Sequence, residues 1–335
     1  MRYFKGRVKN SFIWGLSSIV VILIGILVLS FSGDKGEKPG FFARFNKDYK
    51  IYSLKLPDSL YFAGEKVPME HFDVRESLDR ELLVNTYWQS HSILYIKRAN
   101  RYFPRIEKVL KEHNIPEDFK YIPLVESDMT KAVSPAGATG FWQLMKGTAT
   151  DHGLEVNREV DERYNLKKST EAACEYFQEA YEKFGSWTLA AASYNVGKSG
   201  LAKQLNIQNA DSYYNLLSNT ETGKYVYRIL AVKIILENHE KYGFHVDEED
   251  LYYPVPTKEI ELDSSVEDFS SYAKELGLNY KMFKYFNPWL RTPSLHNPEN
   301  KTYKITIPKN DSYRDYQNLI RNHQEKDQPQ VEVSD

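Results

Sequence analysis

Apolar residues at helical spacing dominate the middle of the chain, from residue 73 to residue 245. The pattern is clearest over residues 166–184, where one side carries Ala172, Ala173, Tyr176, Phe177, Ala180 and Phe184, and Gly185 follows. Residues three and four positions apart share one face of an α-helix, so this pattern predicts an amphipathic helix. We expect further helices from residue 74 to about residue 95 and over 104–112, 116–126, 142–151, 187–194 and 223–242. The sequence therefore predicts a mainly α protein built around an all-helical domain.

The pattern changes after Gly243, where Pro254 and Pro256 indicate a boundary. Within residues 255–309 we expect a strand at 260–262, helices at 266–276 and 280–286, and a strand at 303–307. This order predicts a small α+β module. Residues 310–335 form a polar tail, which we expect to be disordered from Asn322 onwards.

The N-terminal region contains twenty residues without a charge, 12–31, a length that matches the hydrocarbon core of a bilayer. Residues 1–11 before it contain four basic residues and no acidic one, which predicts a cytoplasmic basic N-terminus and export of the rest. We favour a retained transmembrane anchor. A cleaved signal stays open because Ser30 and Ser32 supply small residues. Residues 32–72, rich in Gly and Pro, read as a linker and extended segment.

Composition excludes several classes of function. The net charge of −2 gives no indication of a nucleic-acid surface. The eight His residues form no HExxH pattern and no Cys/His cluster, so we expect neither a metal nor another cofactor. Cys174 is the single cysteine, and its place in a helical pattern predicts a small buried side chain.

Residues 121–145 carry the strongest chemical signal in the chain. Glu126 directly follows the apolar run Ile122 to Val125. A carboxylate in apolar surroundings is costly unless it is paired or protonated, and protonation suits a general acid. Gly137 and Gly140 follow in a turn where backbone could lie close to a ligand. The alternative is that Glu126 is a surface residue and the glycines only shape a loop.

Four short motifs occur in order over about a hundred residues: ES at Glu126, GFWQ from Gly140, SYNVG from Ser193 and ETGKYV from Glu221. Together they resemble the catalytic domain of the lytic murein transglycosylases, with type D the nearest branch. The resemblance implies a lysozyme-like helical fold. Residues 255–309 resemble a diverged lysin motif, and the alternative is a structural cap on the helical domain.

The resemblance implies non-hydrolytic cleavage of the bond between N-acetylmuramic acid and N-acetylglucosamine in peptidoglycan. Glu126 would be the catalytic acid and then the base, and the product would carry a 1,6-anhydro end. Eight positions would form the substrate site: Ser127, Ser134, Gly140, Gln143, Met145, Tyr194, Asn195 and Tyr225. Ser127 and Ser134 would shape the surroundings of the acid, and Tyr225 would form a hydrogen bond near it. Phe141, Trp142 and Tyr194 could equally be core residues.

Two alternatives stay open at this point. A goose-type lysozyme would hydrolyse the same bond, and a non-catalytic scaffold would only bind the cell wall. In each case the partners are peptidoglycan glycan strands and, through residues 12–31, a membrane. The expected location is the bacterial inner membrane, with a single span and the catalytic domain in the periplasm. The sequence identifies no partner enzyme.

Overall fold

The computed structural model describes residues 52–218, 221–309 and 311–327. The elements below belong to one unit of the chain, Leu54–Asp335. The predicted basic segment 1–11 and transmembrane segment 12–31 lie outside the described residues. Among the described residues, no helix combines the length and the apolar character needed to cross a membrane.

The helical domain follows a short antiparallel hairpin of strands β1 (Tyr61–Phe62) and β2 (Glu65–Lys66). Its helices, in chain order, are α1 (Phe72–Tyr87), α2 (Gln89–Glu112), α3 (Ile122–Ser127), α4 (Lys146–Asp151), α5 (Leu166–Phe184), α6 (Trp187–Val196), α7 (Lys198–Gln208) and α8 (Thr222–Glu237). A 3₁₀ turn, Glu117–Tyr121, leads directly into α3.

Helix α8 lies at the centre of the helical domain and packs against α1, α6 and α2. Its buried residues cover all sides of the helix, including Val226, Ile229, Leu230 and Ile234. A helix that is apolar all round belongs in a core rather than on a surface. The expected long helix is confirmed, although it ends at Glu237, five residues before the predicted end.

The β1–β2 hairpin also belongs to this core, since Phe62 is fully buried. Glu65 on β2 accepts hydrogen bonds from the backbone N–H groups of Trp187 (2.6 Å) and Thr188 (2.9 Å). A carboxylate at a helix N-terminus satisfies free N–H groups and complements the helix dipole. Part of the segment predicted as linker and extended segment therefore caps α6.

The prediction of a helix that begins at Pro104 is wrong, because α2 runs without a break from Gln89 to Glu112. Proline inside a helix costs about 3 kcal/mol through the lost hydrogen bond and ring clash. The apolar face continues through this position with Tyr95, Ala99, Ile106 and Leu110, all buried. Burial of each large apolar side chain contributes about 1.5–3 kcal/mol, which outweighs the local cost.

The predicted helix over 142–151 forms only from Lys146 onwards. Thr139 and Leu144 exchange backbone hydrogen bonds of 3.1 and 3.2 Å, which close a tight turn instead. Within that turn Gly140 (φ 81°) and Gln143 (φ 48°) adopt left-handed backbone conformations. A helix cannot continue through such residues.

The C-terminal module consists of strand β3 (Thr257–Leu262), helices α9 (Phe269–Glu275) and α10 (Tyr280–Phe286), and strand β4 (Tyr303–Pro308). The strands pair antiparallel, with Thr257 opposite Pro308 and Leu262 opposite Tyr303. The predicted order of strand, helix, helix and strand is confirmed. Phe269 and Phe283 are fully buried between the sheet and the helices.

Val160 and Tyr164 of the helical domain belong to the apolar core of this module. The Arg291 guanidinium lies 3.9 Å from the centre of the Tyr164 ring. The Asp161 N–H donates to the carbonyl of Trp289 (2.8 Å), and the Arg291 N–H donates to the carbonyl of Glu159 (2.7 Å). The module is therefore docked on the helical domain through shared packing and backbone hydrogen bonds.

After β4 the chain forms helix α11 (Tyr316–Asp327). Leu319 and Ile320 are buried against Tyr253 in a small separate cluster. The expectation of disorder from Asn322 is therefore wrong for the first residues after that position. The adjacent apolar residues Leu319 and Ile320 attach to the rest of the chain a helix whose other residues are mostly polar.

Candidate active site

Glu126 lies in the last turn of α3, a helix held in place by its buried residues Ile122, Pro123 and Leu124. The helix ends at Ser127. The next residue, Asp128, has a left-handed φ of 55°, and its N–H donates to the carbonyl of Leu124 (2.9 Å). This end leaves the Glu126 side chain half-buried and directed toward α8. The position agrees with the prediction of a carboxyl group in apolar surroundings.

Tyr225 on α8 donates a hydrogen bond of 2.6 Å to Oε1 of Glu126. Its ring is buried, and burial together with the nearby Glu126 charge raises the pKa of Tyr225 well above its usual value. The phenol therefore stays protonated and can act as a donor across the neutral pH range. The predicted neighbourhood of Tyr225 and Glu126 is observed in the structure.

Burial raises the pKa of Glu126 to about 7, against an ordinary value of 4.5, and the negative charge of Glu221 acts in the same direction. The hydrogen bond from Tyr225 and the positive charge of Arg228 lower it in part. Because desolvation is the largest cause, the neutral acid is the favoured form in mildly acidic solution.

Arg228 and Glu221 were not among the predicted site residues. The Arg228 Nη1 lies 3.1 Å from Oε1 of Glu221, and its Nε lies 3.4 Å from Oε2 of the buried Glu81 on α1. Arg228 follows Tyr225 by three positions, so both residues share one face of α8. That spacing was the signal in the sequence that could have placed Arg228 near the acid.

Asp128 is turned away from Glu126. Its Oδ1 lies 2.8 Å from His91 Nε2 and accepts a hydrogen bond from the Tyr95 hydroxyl at 3.1 Å. The His91 ring in turn stacks on Trp88, with ring centroids 3.9 Å apart. Asp128, the carboxyl group nearest to Glu126 in sequence, therefore forms its hydrogen bonds with residues of α2.

Ser127, Gly140 and Trp142 hold the backbone around the site. The buried Ser127 hydroxyl contacts the carbonyls of Pro123 (3.0 Å) and Phe141 (2.7 Å), and so ties α3 to the turn after Gly140. A Cβ atom on Gly140 would lie 2.1 Å from a backbone oxygen. Trp142 is fully buried and its indole N–H donates to Thr170, so of the two roles left open it takes the core role.

Gln143 and Ser134 stabilise the loop that precedes α4. The Gln143 amide nitrogen donates to the carbonyls of Ala132 (3.0 Å) and Gly140 (2.9 Å). The Ser134 hydroxyl accepts from the N–H of Ala138 (3.0 Å). The side-chain nitrogen of Gln143 therefore stabilises the loop. Its side-chain carbonyl oxygen could accept a hydrogen bond from a ligand.

The remaining predicted residues lie on α6 and at the start of α4. Tyr194 is half-buried, and its hydroxyl donates to the carbonyl of Trp142 at 2.6 Å. Asn195 is exposed and accepts a hydrogen bond from the Thr222 hydroxyl (3.1 Å), next to Glu221. Met145 is 46% exposed, which is high for an apolar side chain. Glu126, Tyr194 and Tyr225 lie close together, whereas Ser134 and Gly140 act within the loop.

Comparison with known proteins finds similar domains in two parts of the chain. Residues 104–217 match the family described as Transglycosylase SLT domain, and residues 258–311 match the soluble lytic transglycosylase C-terminal LysM-like domain. The chain therefore contains a region similar to the transglycosylase SLT domain, followed by a region similar to the LysM-like domain. The predicted resemblance to the lytic murein transglycosylases is confirmed, and so is the mainly helical fold with a small C-terminal module.

The curated proteins that are similar to the chain include the following two. Membrane-bound lytic murein transglycosylase D of Escherichia coli (strain K12) is 29% identical over 243 residues, which is 70% of this chain and 52% of the relative. The putative tributyltin chloride resistance protein of Alteromonas sp. (strain M-1) is 30% identical over 115 residues, 33% of this chain and 56% of the relative. The chain thus spans about half the length of the curated relatives it matches.

Two solved structures are also similar over part of the chain. The 70 kDa soluble lytic transglycosylase of Escherichia coli has a TM-score of 0.38 and 19% identity, and the match covers 50% of this chain and 29% of the other. The lytic transglycosylase Slt of Pseudomonas aeruginosa has a TM-score of 0.35 and 22% identity, over 45% of this chain and 26% of the other.

Proposed function

We propose that the chain is a peptidoglycan lytic transglycosylase that breaks the bond between N-acetylmuramic acid and N-acetylglucosamine without water. The observation that carries this proposal is Glu126, a half-buried carboxyl group with a pKa of about 7 and a hydrogen bond from Tyr225. The SLT domain match and the curated name of the Escherichia coli relative support the choice of substrate.

In the first step, protonated Glu126 donates its proton to the glycosidic oxygen while the bond from that oxygen to C1 of the muramoyl residue breaks. The N-acetylglucosamine portion leaves as an alcohol, and positive charge develops at the muramoyl C1. The N-acetyl group of the same sugar would stabilise this charge. The hydrogen bond from Tyr225 to Glu126 would stabilise the carboxylate that forms, since hydrogen bonds to charged groups are stronger.

In the second step, the Glu126 carboxylate accepts the proton of the muramoyl 6-hydroxyl while that oxygen bonds to C1. The product is a 1,6-anhydro sugar, and Glu126 returns to its protonated form. One carboxyl group thus serves both steps. Ring closure within one sugar also gains the large effective concentration of oriented neighbouring groups.

The surroundings of Glu126 support a mechanism with one carboxyl group. Glycosidases with two carboxyl groups need the second one as nucleophile or base. Asp128 is bound to His91 and Tyr95, and Glu221 is paired with Arg228. With both neighbours engaged, the substrate itself is the better source of the nucleophile.

We assign the remaining roles as follows. Asn195, which is exposed beside Thr222, would bind an amide or hydroxyl group of the sugar. Met145 would contact the apolar face of a pyranose ring, since its side chain is exposed at the start of α4. Tyr194, Ser127, Ser134 and Gly140 would keep the backbone around Glu126 in place, and the carbonyl end of Gln143 would be available to the substrate.

We further propose that residues 12–31 anchor the chain in the bacterial inner membrane, with the catalytic domain in the periplasm. The support is the uncharged length of this segment, its basic flank and the membrane-bound relative. Fractionation of cells after alkaline extraction tests this: an anchored chain stays with the membranes, whereas a chain with a cleaved signal appears in the soluble fraction.

Mass spectrometry of the products from purified sacculi tests the reaction. A lytic transglycosylase gives anhydro ends that weigh one water less than the reducing ends a goose-type lysozyme would give. Glu126→Gln should bind sacculi and release no product. Reducing ends from the wild-type chain would contradict the proposal, and binding without any product would establish the scaffold alternative.

A further inference from the structure

A cleft with a volume of about 730 Å³ lies between the helical domain and the C-terminal module. Helix α2 and the start of α5 line one side, and β3, β4 and α10 line the other. Neither Glu126 nor Tyr225 is among the lining residues, so the cleft is separate from the candidate active site. Its volume falls within the range of about 300–1,000 Å³ that is usual for ligand sites.

Hydrogen bonds between the two sides hold the cleft open in a fixed shape. Lys131 Nζ donates to the carbonyl of Tyr285 (3.0 Å), and Arg105 Nη2 donates to the Thr257 hydroxyl (3.3 Å). The module is also fixed to the helical domain through the shared core around Val160. A preformed cleft spares a ligand the cost of ordering the protein.

The charges that line this cleft do not balance. The four lining carboxylates each form an ion pair with a lysine that also lines the cleft: Glu112, Glu162, Glu171 and Glu259. Four lining cations remain: Arg101, Arg105, Lys131 and Lys258. None of these four has a carboxylate partner in the part of the chain that the structure describes. A concave surface with excess positive charge concentrates anions.

Lys131 is one of these four cations. Its ammonium group lies 4.8 Å from the centre of the Tyr285 ring and bonds to a neutral carbonyl. Burial and the nearby charge of Arg291 lower the pKa of Lys131 to about 8. A carboxylate bound in the cleft would supply the negative charge that the protein does not provide.

We propose that this cleft is a binding site for an acidic peptide, whose carboxylates contact Lys131, Lys258, Arg101 and Arg105. A neutral sugar could not form ion pairs with the four cations that lack carboxylate partners. A peptide with several carboxylates could pair with them directly. The exposed ring of Tyr285 would contact the apolar atoms of the same peptide. The source of the peptide rests on the proposed function: the peptides attached to muramic acid in peptidoglycan carry free carboxylates.

Lys258 provides the sharpest test of the site. Its side chain is exposed on β3 and forms no hydrogen bond or ion pair with any described residue, so Lys258→Gln removes a charge and leaves the docking of the module intact. The matched control is Lys281→Gln, since Lys281 is equally exposed on α10 and does not line the cleft. The probe is the tetrapeptide L-alanyl-γ-D-glutamyl-meso-diaminopimelyl-D-alanine, titrated by calorimetry into the full chain in detergent at low salt.

We expect the tetrapeptide to bind and its affinity to fall about threefold in Lys258→Gln and about tenfold when Lys131→Gln is added. Lys281→Gln should bind it as the wild type does. The same peptide with its carboxyl groups amidated should not bind. Absence of tetrapeptide binding to the wild type, equal affinity of the double variant, or equal binding of the amidated peptide would overturn the proposal.

Glu126→Gln separates this proposal from the proposed function. The variant should bind the tetrapeptide as the wild type does, because Glu126 lies outside the cleft. Loss of binding in Glu126→Gln would place the peptide at the candidate active site and overturn the cleft assignment. A failure to find anhydro products would contradict the reaction and leave the binding measurement untouched.

Discussion

The hydroxyl of Tyr225 lies 2.6 Å from Oε1 of Glu126, although 99 positions separate the two residues in sequence. The contact joins α8, the buried centre of the helical domain, to the short helix α3. It also sets the balance between the two forms of the carboxyl group. Burial favours the neutral acid, and the phenol hydrogen bond favours the carboxylate.

Tyr225→Phe should move the activity profile to higher pH. The hydrogen bond from Tyr225 lowers the pKa of Glu126, so its removal raises that pKa above about 7. Because the first step of the proposed mechanism needs protonated Glu126, the alkaline limb of the pH–rate profile should shift upward by about one pH unit. Initial rates on sacculi between pH 5 and pH 9 measure the shift. Tyr227→Phe on the same helix is the control, and an unchanged limb in Tyr225→Phe would contradict the assignment.

Glu126→Gln should change how stability depends on pH. The pKa of Glu126 rises from 4.5 in the unfolded chain to about 7 in the fold, so the folded state binds more protons between these values. Wild-type stability therefore falls as pH rises through this window. The variant lacks this loss. Its free energy of unfolding, compared with that of the wild type, should therefore increase by about 2 kcal/mol from pH 5 to pH 8. Urea unfolding at the two pH values measures it, and a pH-independent difference would show that the pKa is not raised.

Gly140→Ala should destabilise the protein far more than Gly137→Ala. Both glycines have a positive φ, 81° and 86°, so both substitutions introduce backbone strain of about 1 kcal/mol. A Cβ atom on Gly140 would also lie 2.1 Å from the carbonyl oxygen of Arg163, whereas nothing lies within 4 Å of one on Gly137. We expect a total cost of about 3 kcal/mol for Gly140→Ala. Denaturant unfolding of the pair measures the difference, and equal losses would rule out the close approach.

Glu65→Ala should destabilise the fold by about 2 kcal/mol, because it leaves the N–H groups of Trp187 and Thr188 without their acceptor. Glu70→Ala is the control, since Glu70 is an exposed residue that pairs with Lys66. Its replacement should leave the stability close to that of the wild type, because an exposed ion pair contributes little. Thermal unfolding compares the two, and similar melting temperatures would show that the Glu65 cap adds little.

The sequence correctly predicted that Tyr225 lies beside Glu126, because both residues belong to motifs that resemble those of a known family. It also located the helices whose apolar period is strong, such as α5 and α8. It failed where long-range packing decides the outcome. Pro104 lies within α2 because the apolar residues before and after it are buried. The helix propensity of the local sequence does not predict that burial.

The roles of the turn residues were also beyond the sequence. Gln143 looked like a sugar ligand, yet its amide nitrogen holds the loop through Ala132 and Gly140. Its left-handed backbone is a property of the closed turn, and a single sequence does not record it. Arg228 could have been found, because it follows Tyr225 by three positions on the same helix.

Val160 and Tyr164 belong to the core of the C-terminal module although they precede it by almost a hundred positions. A chimera joined near residue 255 would therefore place each part against a surface from a different protein. To exchange the C-terminal module between related chains, residues 155–164 would have to be exchanged together with it. A substitution on one side of this contact should therefore be tolerated only where the residues on the other side can still pack against it.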